Sequence, residues 1–180
     1  AVQENVSVQA VATTVNEEIF GVNDRAQLAK AERFYQRQQA EKLMRQGVTL
    51  ADPARLDIRG EVQIGRDVTI DINVILEGRV IIGNECVIGA NSILRHTTLA
   101  ERVHVRPNSV IDGAEIAADC IIGPFARIRP GTVLAKHVHI DGSSVIHSAR
   151  VVAACALGGA VLAGLSVGWL PALADRKSVV

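Results

Sequence analysis

From Ile64 onward the sequence steps in sixes. An aliphatic residue recurs at Ile64, Ile70, Leu76, Ile82, Ile88 and Leu94. After a five-residue step it continues at Leu99, Val105 and Ile111, and after another at Ile116, Ile122, Ile128, Leu134, Ile140 and Ile146. A period of six does not match a sandwich of alternating strands, whose turn signals fall about every 8–12 residues. It is the period of a coil with three short sides, in which each hexad supplies one side and one corner.

The other hexad positions are patterned too. The residue after the aliphatic one is often Gly or Asp, as at Gly65, Asp71, Gly83, Gly89, Asp112, Gly123 and Asp141. The fifth position is small or β-branched: Val68, Val74, Val80, Cys86, Ser92, Val103, Ser109, Cys120, Ala126, Thr132, Val138 and Ser144. The pattern predicts aliphatic side chains stacked inward from coil to coil. Gly, Asp and Asn are expected at corners, where they tolerate unusual backbone angles. Hydrogen bonds should run between coils as parallel sheets. Three hexads make a coil, so residues 64–149 should give roughly five coils. Hydrophobic residues make up 48% of the chain and aromatics only 3%, so the core must be aliphatic.

Residues 24–47 read as a helix. Asp24 can cap it, with Gln27 three residues later completing a capping box. The stretch from Ala26 to Arg45 lacks Gly and Pro and is rich in good helix formers. Leu28, Ala31, Tyr35, Leu43 and Met44 form a broken apolar stripe. Gly47 stands where a glycine stops a helix. A lone polar helix of this length usually bridges two bodies. Ahead of it, Val6, Val8 and Ala10 alternate like one strand. The segment 48–60 reads as a turn into the first coil.

Lys plus Arg equals Asp plus Glu, 19 each, which gives no electrostatic case for nucleic acid or anionic lipid. Cys86, Cys120 and Cys155 are odd in number and far apart, against a disulfide framework or a zinc site. A reducing, cytoplasmic setting fits. The N-terminus carries no signal-peptide pattern and no Met, and reads as a chain that begins mid-protein or, equally, as a processed one.

Several stretches are specific beyond their hexads. They are Gly21-Val22-Asn23-Asp24-Arg25-Ala26-Gln27-Leu28, Ala40-Glu41-Lys42-Leu43, Asp52-Pro53-Ala54-Arg55, and Ile122-Gly123-Pro124-Phe125-Ala126-Arg127-Ile128-Arg129-Pro130-Gly131. In order and spacing they resemble the bacterial bifunctional N-acetylglucosamine-1-phosphate uridyltransferase / glucosamine-1-phosphate acetyltransferase family, over about residues 16–140. The resemblance implies an all-β solenoid, a left-handed parallel β-helix of hexapeptide repeats, preceded by one long α-helix. The hand comes from the resemblance, since general rules favour right-handed crossovers. It divides the chain into 1–22 (a remnant of a nucleotidyltransferase domain), 23–47 (linker helix), 48–149 (β-helix) and 150–180 (an apolar tail outside the match).

The family's acetyl transfer from acetyl-CoA to glucosamine-1-phosphate precedes uridylyl transfer from UTP with Mg²⁺. Its members form homotrimers in the cytoplasm and feed peptidoglycan and lipopolysaccharide synthesis. Two residues carry over. Asn23 matches the family's metal-binding Asn, although one ligand cannot hold Mg²⁺ and a plain turn before a helix explains it as well. Arg129 matches the acetyltransferase-site Arg, a rigid fork for phosphate oxygens; the alternative is a solvated corner. The family's next substrate Lys falls on His147 and its catalytic His on Gly159. No catalytic residue is therefore assigned, and the chain is expected to lack most of both active sites.

Other readings stay open. One is a stand-alone hexapeptide acyltransferase with a different acceptor and a base from a neighbouring subunit, for which His104, His137, His139 and His147 are the candidates. Another is a non-catalytic scaffold. The pair His137-x-His139 is weak evidence for a metal. The uncharged run 151–174 is long enough for a membrane helix, loosely continues the hexad at Val151, Leu157 and Ala163, or is a foreign reading frame or truncation scar.

Overall fold

A computed structural model describes residues 21–147 together with the backbone of 150 and 151. The expectations for residues 1–20, for Cys155 and Gly159, and for the uncharged run past residue 151 lie outside the described residues.

One helix, α1 (Arg25–Arg45), leads into a parallel β-solenoid of about five turns. Its first face is a six-stranded sheet built from Thr49–Leu50, Thr69–Ile70, Val87–Ile88, His104–Val105, Ile121–Ile122 and His139–Ile140. The second face stacks the starts of the long strands Leu56–Ile64 and Val74–Ile82, then Ile93–Arg95, Val110–Asp112, Arg127–Ile128 and Val145–Ile146. The third stacks the ends of the same two long strands, then Thr98–Leu99, Glu115–Ile116, Val133–Leu134 and Arg150–Val151.

The hexad aliphatics fill the interior. Leu76, Ile88, Leu94, Val105, Ile111, Ile122 and Ile128 are fully buried, and the register sets each directly over its counterpart one coil below. Burial of such a side chain is worth about 1.5–3 kcal/mol. The small fifth positions also point inward; Val68, Val80, Cys86, Ser92, Ser109 and Cys120 are fully buried. In the two five-residue steps, Thr97 and Ala114 take that inward slot at 1% and 2% exposure. The missing residue comes out of the corner between the second and third faces, and the core is undisturbed.

The corners carry Asp, Asn and Gly at left-handed angles as expected, but mostly not directly after the aliphatic residue. The left-handed backbone angles fall mostly three residues after the inward aliphatic, at Asp67, Asn73, Glu85, Asn91, Arg102, Asn108, Asp119, Phe125 and His137. Directly after it, Gly65, Gly83 and Gly89 do not have positive φ, whereas Gly123 does, at +90. A Cβ on Gly83 would stand 2.6 Å from the Ala100 backbone, and one on Gly89 2.7 Å from Pro107 N. These three glycines permit close approach between coils, and the turns are made elsewhere in the hexad, largely by Asp, Asn and other Gly residues.

Asp24 caps α1, its Oδ1 accepting from Gln27 N–H at 2.7 Å. The return bond of the box is displaced by one residue, because Gln27 Oε1 accepts from Asn23 N–H at 2.6 Å. At the other end Gly47 N–H donates to Met44 C=O (3.1 Å) and Val48 N–H to Leu43 C=O (3.1 Å), with Gly47 at φ +98. This is the paired closure of a Schellman motif. Of the expected apolar stripe only Leu43 is buried. Leu28 and Tyr35 are half exposed, and the buried residues are Gln36, Ala40 and Leu43. The buried contacts with the first coil come from the C-terminal half of the helix, and Arg33 adds an ion pair to Asp57 at 2.7 Å. Among the described residues no helix is long and apolar enough to cross a membrane.

Candidate functional site

On the second face one outward column runs in register through Arg59, Glu77, Arg95 and Asp112. Continuing the pairing of Arg127–Ile128 by one residue places Arg129 next in line and His147 after it. The column alternates in charge up to Arg129, as stacked outward positions 4.7–4.9 Å apart favour. Arg95 Nε meets Glu77 Oε2 at 2.8 Å. Arg59 turns aside to Asp57 at 3.0 Å. Arg129 is exposed and makes no ion pair with any described residue.

The backbone under Arg129 is well held. Its N–H donates to Ile146 C=O at 2.9 Å, and its C=O accepts from Thr132 Oγ1 at 2.7 Å. Gly131 turns the corner at φ +80 and donates to Gly113 C=O at 2.9 Å. Pro130 lies over Gly113, where an added Cβ would come within 3.0 Å of it. A guanidinium on so fixed a base can grip a phosphate or carboxylate through two parallel bonds.

The four candidate histidines are not gathered. His104 and His139 point outward on the first face, separated by Ile121. His137 sits at a corner, its Nδ1 4.0 Å from Asp119 Oδ2. His139 Nε2 is 3.8 Å from Asp141 Oδ1 and, though buried, has no hydrogen-bond partner among the described residues. Of the four, only His147 shares the column of Arg129, and it is exposed. Among the described residues no three His, Cys, Asp or Glu side chains converge as metal ligands. The pair His137-x-His139 therefore splits between two carboxylates.

Asn23 is exposed and precedes the helix cap. Its acidic neighbour Asp24 already spends Oδ1 on the Gln27 N–H. The described residues alone do not fit Mg²⁺, which wants near-octahedral oxygens and a carboxylate or two. The thiols of Cys86 and Cys120 are buried, and each donates to a carbonyl, of Ala100 and Ala135, at 3.0 Å. Burial pushes both up, away from the reactive thiolate.

One feature had no signal in the sequence. Arg106 Nη1 reaches Asp141 Oδ1 at 3.5 Å across two coils. The coil between them carries Gly123, where an added Cβ would meet Ser109 Oγ and come within 3.5 Å of Arg106 Cβ. The two residues are 35 apart in the chain, so only the stacking brings them together.

The family model of the GMPPB C-terminal domain matches residues 58–163. The Bifunctional protein GlmU of Marinobacter nauticus is 55% identical over 114 residues, which is 63% of this chain and 25% of that protein. The Bifunctional protein GlmU of Methylococcus capsulatus is 55% identical over 131 residues, 72% of this chain and 28% of that protein. The chain thus spans about a quarter of the length of these curated relatives. The acetyltransferase domain of PglB from Neisseria gonorrhoeae shares the fold, with a TM-score of 0.53 at 16% identity over 64% of this chain and 58% of that one. With its hexad coils inside the matched span, the chain belongs to the GMPPB C-terminal domain family and is similar to a part of the bifunctional GlmU proteins.

Proposed function

We propose that this chain is the central part of a GlmU-like acetyl- and uridylyltransferase, carrying the phosphate-binding edge of the acetyltransferase site without its base. The observation that carries this is Arg129, exposed, unpaired among the described residues and rigidly based within the Ile122–Gly131 block. In this reading Arg129 holds the phosphate of glucosamine-1-phosphate. Acetyl-CoA is the acyl donor, and the segment 23–47 links the solenoid to an upstream nucleotidyltransferase domain that uses UTP and Mg²⁺. The working unit is a cytoplasmic homotrimer.

Acetyl transfer makes an amide at the sugar nitrogen, breaks the thioester and releases the CoA thiol. The amine must give up a proton to a positioned base. Among the described residues no histidine but His147 stands in the column of Arg129. The reading expects binding without turnover. Glucosamine-1-phosphate should bind the purified chain, and Arg129→Ala should weaken it roughly tenfold or more, the worth of charge-assisted hydrogen bonds. Thiol release from acetyl-CoA with that acceptor should not exceed the no-acceptor control. Binding unaffected by Arg129→Ala would refute the assigned role.

The position of His147 favours a second reading, a self-sufficient acyltransferase with a different base. Acceptor-dependent thiol release that disappears in His147→Ala would establish it over the first.

A further inference from the structure

A groove of about 900 Å³ lies between the C-terminal half of α1 and the first coils, well away from Arg129. Its lining includes Lys42 and Arg45 from the helix, Arg66 and Asn84 from the coils, and no Asp or Glu. Lys42 and Arg66 make no ion pair with any described residue. Arg45 reaches Glu41 only at 3.8 Å, and that carboxylate also serves Arg37 at 3.2 Å. Lys42 and Arg45 complement the helix C-terminus; Arg66, on another element, has no such reason to be there.

The groove is built before any ligand arrives. Asn84 Oδ1 accepts from Arg66 N–H at 2.9 Å, which leaves Nδ2 as a donor unclaimed by described residues. Gly65 makes room for that side chain, since a Cβ there would collide with Asn84 Oδ1. The wall is fixed by Gln36, which ties the helix to the Ile58 backbone. Gln39, Gln46 and Gln63 add amide donors.

We propose that this groove binds a small anion carrying two or more phosphate groups. Cations approach from both walls, and the volume exceeds what one phosphate fills. Guanidinium and amide donors suit phosphate oxygens. No aromatic ring lines the groove, so the phosphates and not a stacked base carry the recognition.

The test is calorimetric titration of the full chain with inorganic pyrophosphate at low ionic strength, where screening is weak. Saturable one-to-one binding is expected. The double variant Lys42→Gln/Arg66→Gln should lose at least about tenfold in affinity, and Lys30→Gln, on the far half of the helix, should lose nothing. Absence of saturable heat, wild-type affinity in the double variant, or equal loss in Lys30→Gln overturns the proposal. If the double variant fails to fold by circular dichroism, Arg66→Gln alone decides by the same comparison.

Discussion

The side chain of Gln36 closes a two-way hydrogen bond on the backbone of Ile58. Nε2 donates to the Ile58 C=O at 2.7 Å and Oε1 accepts from its N–H at 2.8 Å. Gln36 is only 4% exposed, so water does not replace these bonds. An edge strand of the first coil thereby gains from a side chain what a further coil gives elsewhere. Gln36→Ala leaves both backbone groups unpaired and should cost about 2 kcal/mol, read as a lower urea midpoint. Amide exchange along Gln36–Arg45 should quicken at the same time. An unchanged midpoint would mean that Ala40 and Leu43 dock the helix unaided.

Two carboxylates tie stability to acid. Hydrogen bonding from Arg102, at 2.7 and 3.2 Å, is the main reason that the Asp119 carboxyl sits below its ordinary value of 3.8. Partial burial pushes Asp57 up, but bonds and charges of Arg33 and Arg59 outweigh it and leave the carboxyl lowered. A depressed folded value means that the unfolded chain takes up the proton first as pH falls. The stabilisation is complete above about 4 and is lost on going lower through the depressed folded values. Urea midpoints between pH 5 and pH 2.5 should therefore fall, and the fall should be shallower in Asp57→Asn/Asp119→Asn. Both pairs are partly exposed, so 0.5 M salt should blunt the effect.

The solenoid was legible because every coil repeats the same demand. One aliphatic and one small residue must point inward per side, and a period of six survives two deletions because the deletions fall in a corner. The docking of α1 was not legible. Its buried face is centred on Gln36, a polar residue made burial-worthy only by the free edge of Ile58, and no periodicity in the helix announces that. The corners were legible in residue type, Asn, Asp and Gly, but not in position, for a related reason. Gly83 and Gly89 look like turn residues in one dimension, whereas their constraint is the backbone of the next coil. At the candidate site, Arg129 stood out through its surrounding motif, but its freedom from ion pairs depends on which residues the stacking places below and above it. Arg106 with Asp141, and Lys42 with Arg66, are pairings or gatherings that only stacking creates.

The buried thiols give a chemical readout of the coil stack. Cys86 and Cys120 are fully buried, raised by burial and bonded to carbonyls of the neighbouring turn. Iodoacetamide at pH 8 should label these two only as fast as the solenoid opens, at least about a hundredfold slower than in urea, as expected for groups exposed through unfolding. Peptide mapping by mass spectrometry separates them. Rapid labelling of Cys120 with slow labelling of Cys86 would show that the later coils open independently of the earlier ones, as quasi-one-dimensional repeats allow.

The corner between the first and second faces carries a ladder that one aromatic residue interrupts. Asn73 Nδ2 donates to Asn91 Oδ1 at 2.9 Å, and Asn91 Nδ2 to Asn108 Oδ1 at 3.2 Å. All three hold left-handed angles near φ +60, which Asn tolerates better than most residues. Phe125 takes the same place one coil on, at φ +58 and 60% exposed. Its ring gains little burial there, and a bulky side chain in that conformation is strained. Phe125→Asn should extend the ladder to the Asn108 amide and raise stability by roughly 1 kcal/mol. Asn91→Ala should lower it by a comparable amount, since it removes two side-chain bonds and keeps the strain. Thermal midpoints of the two variants should move in opposite directions. A fall in Phe125→Asn would show that the ring is held by contacts worth more than the strain it carries.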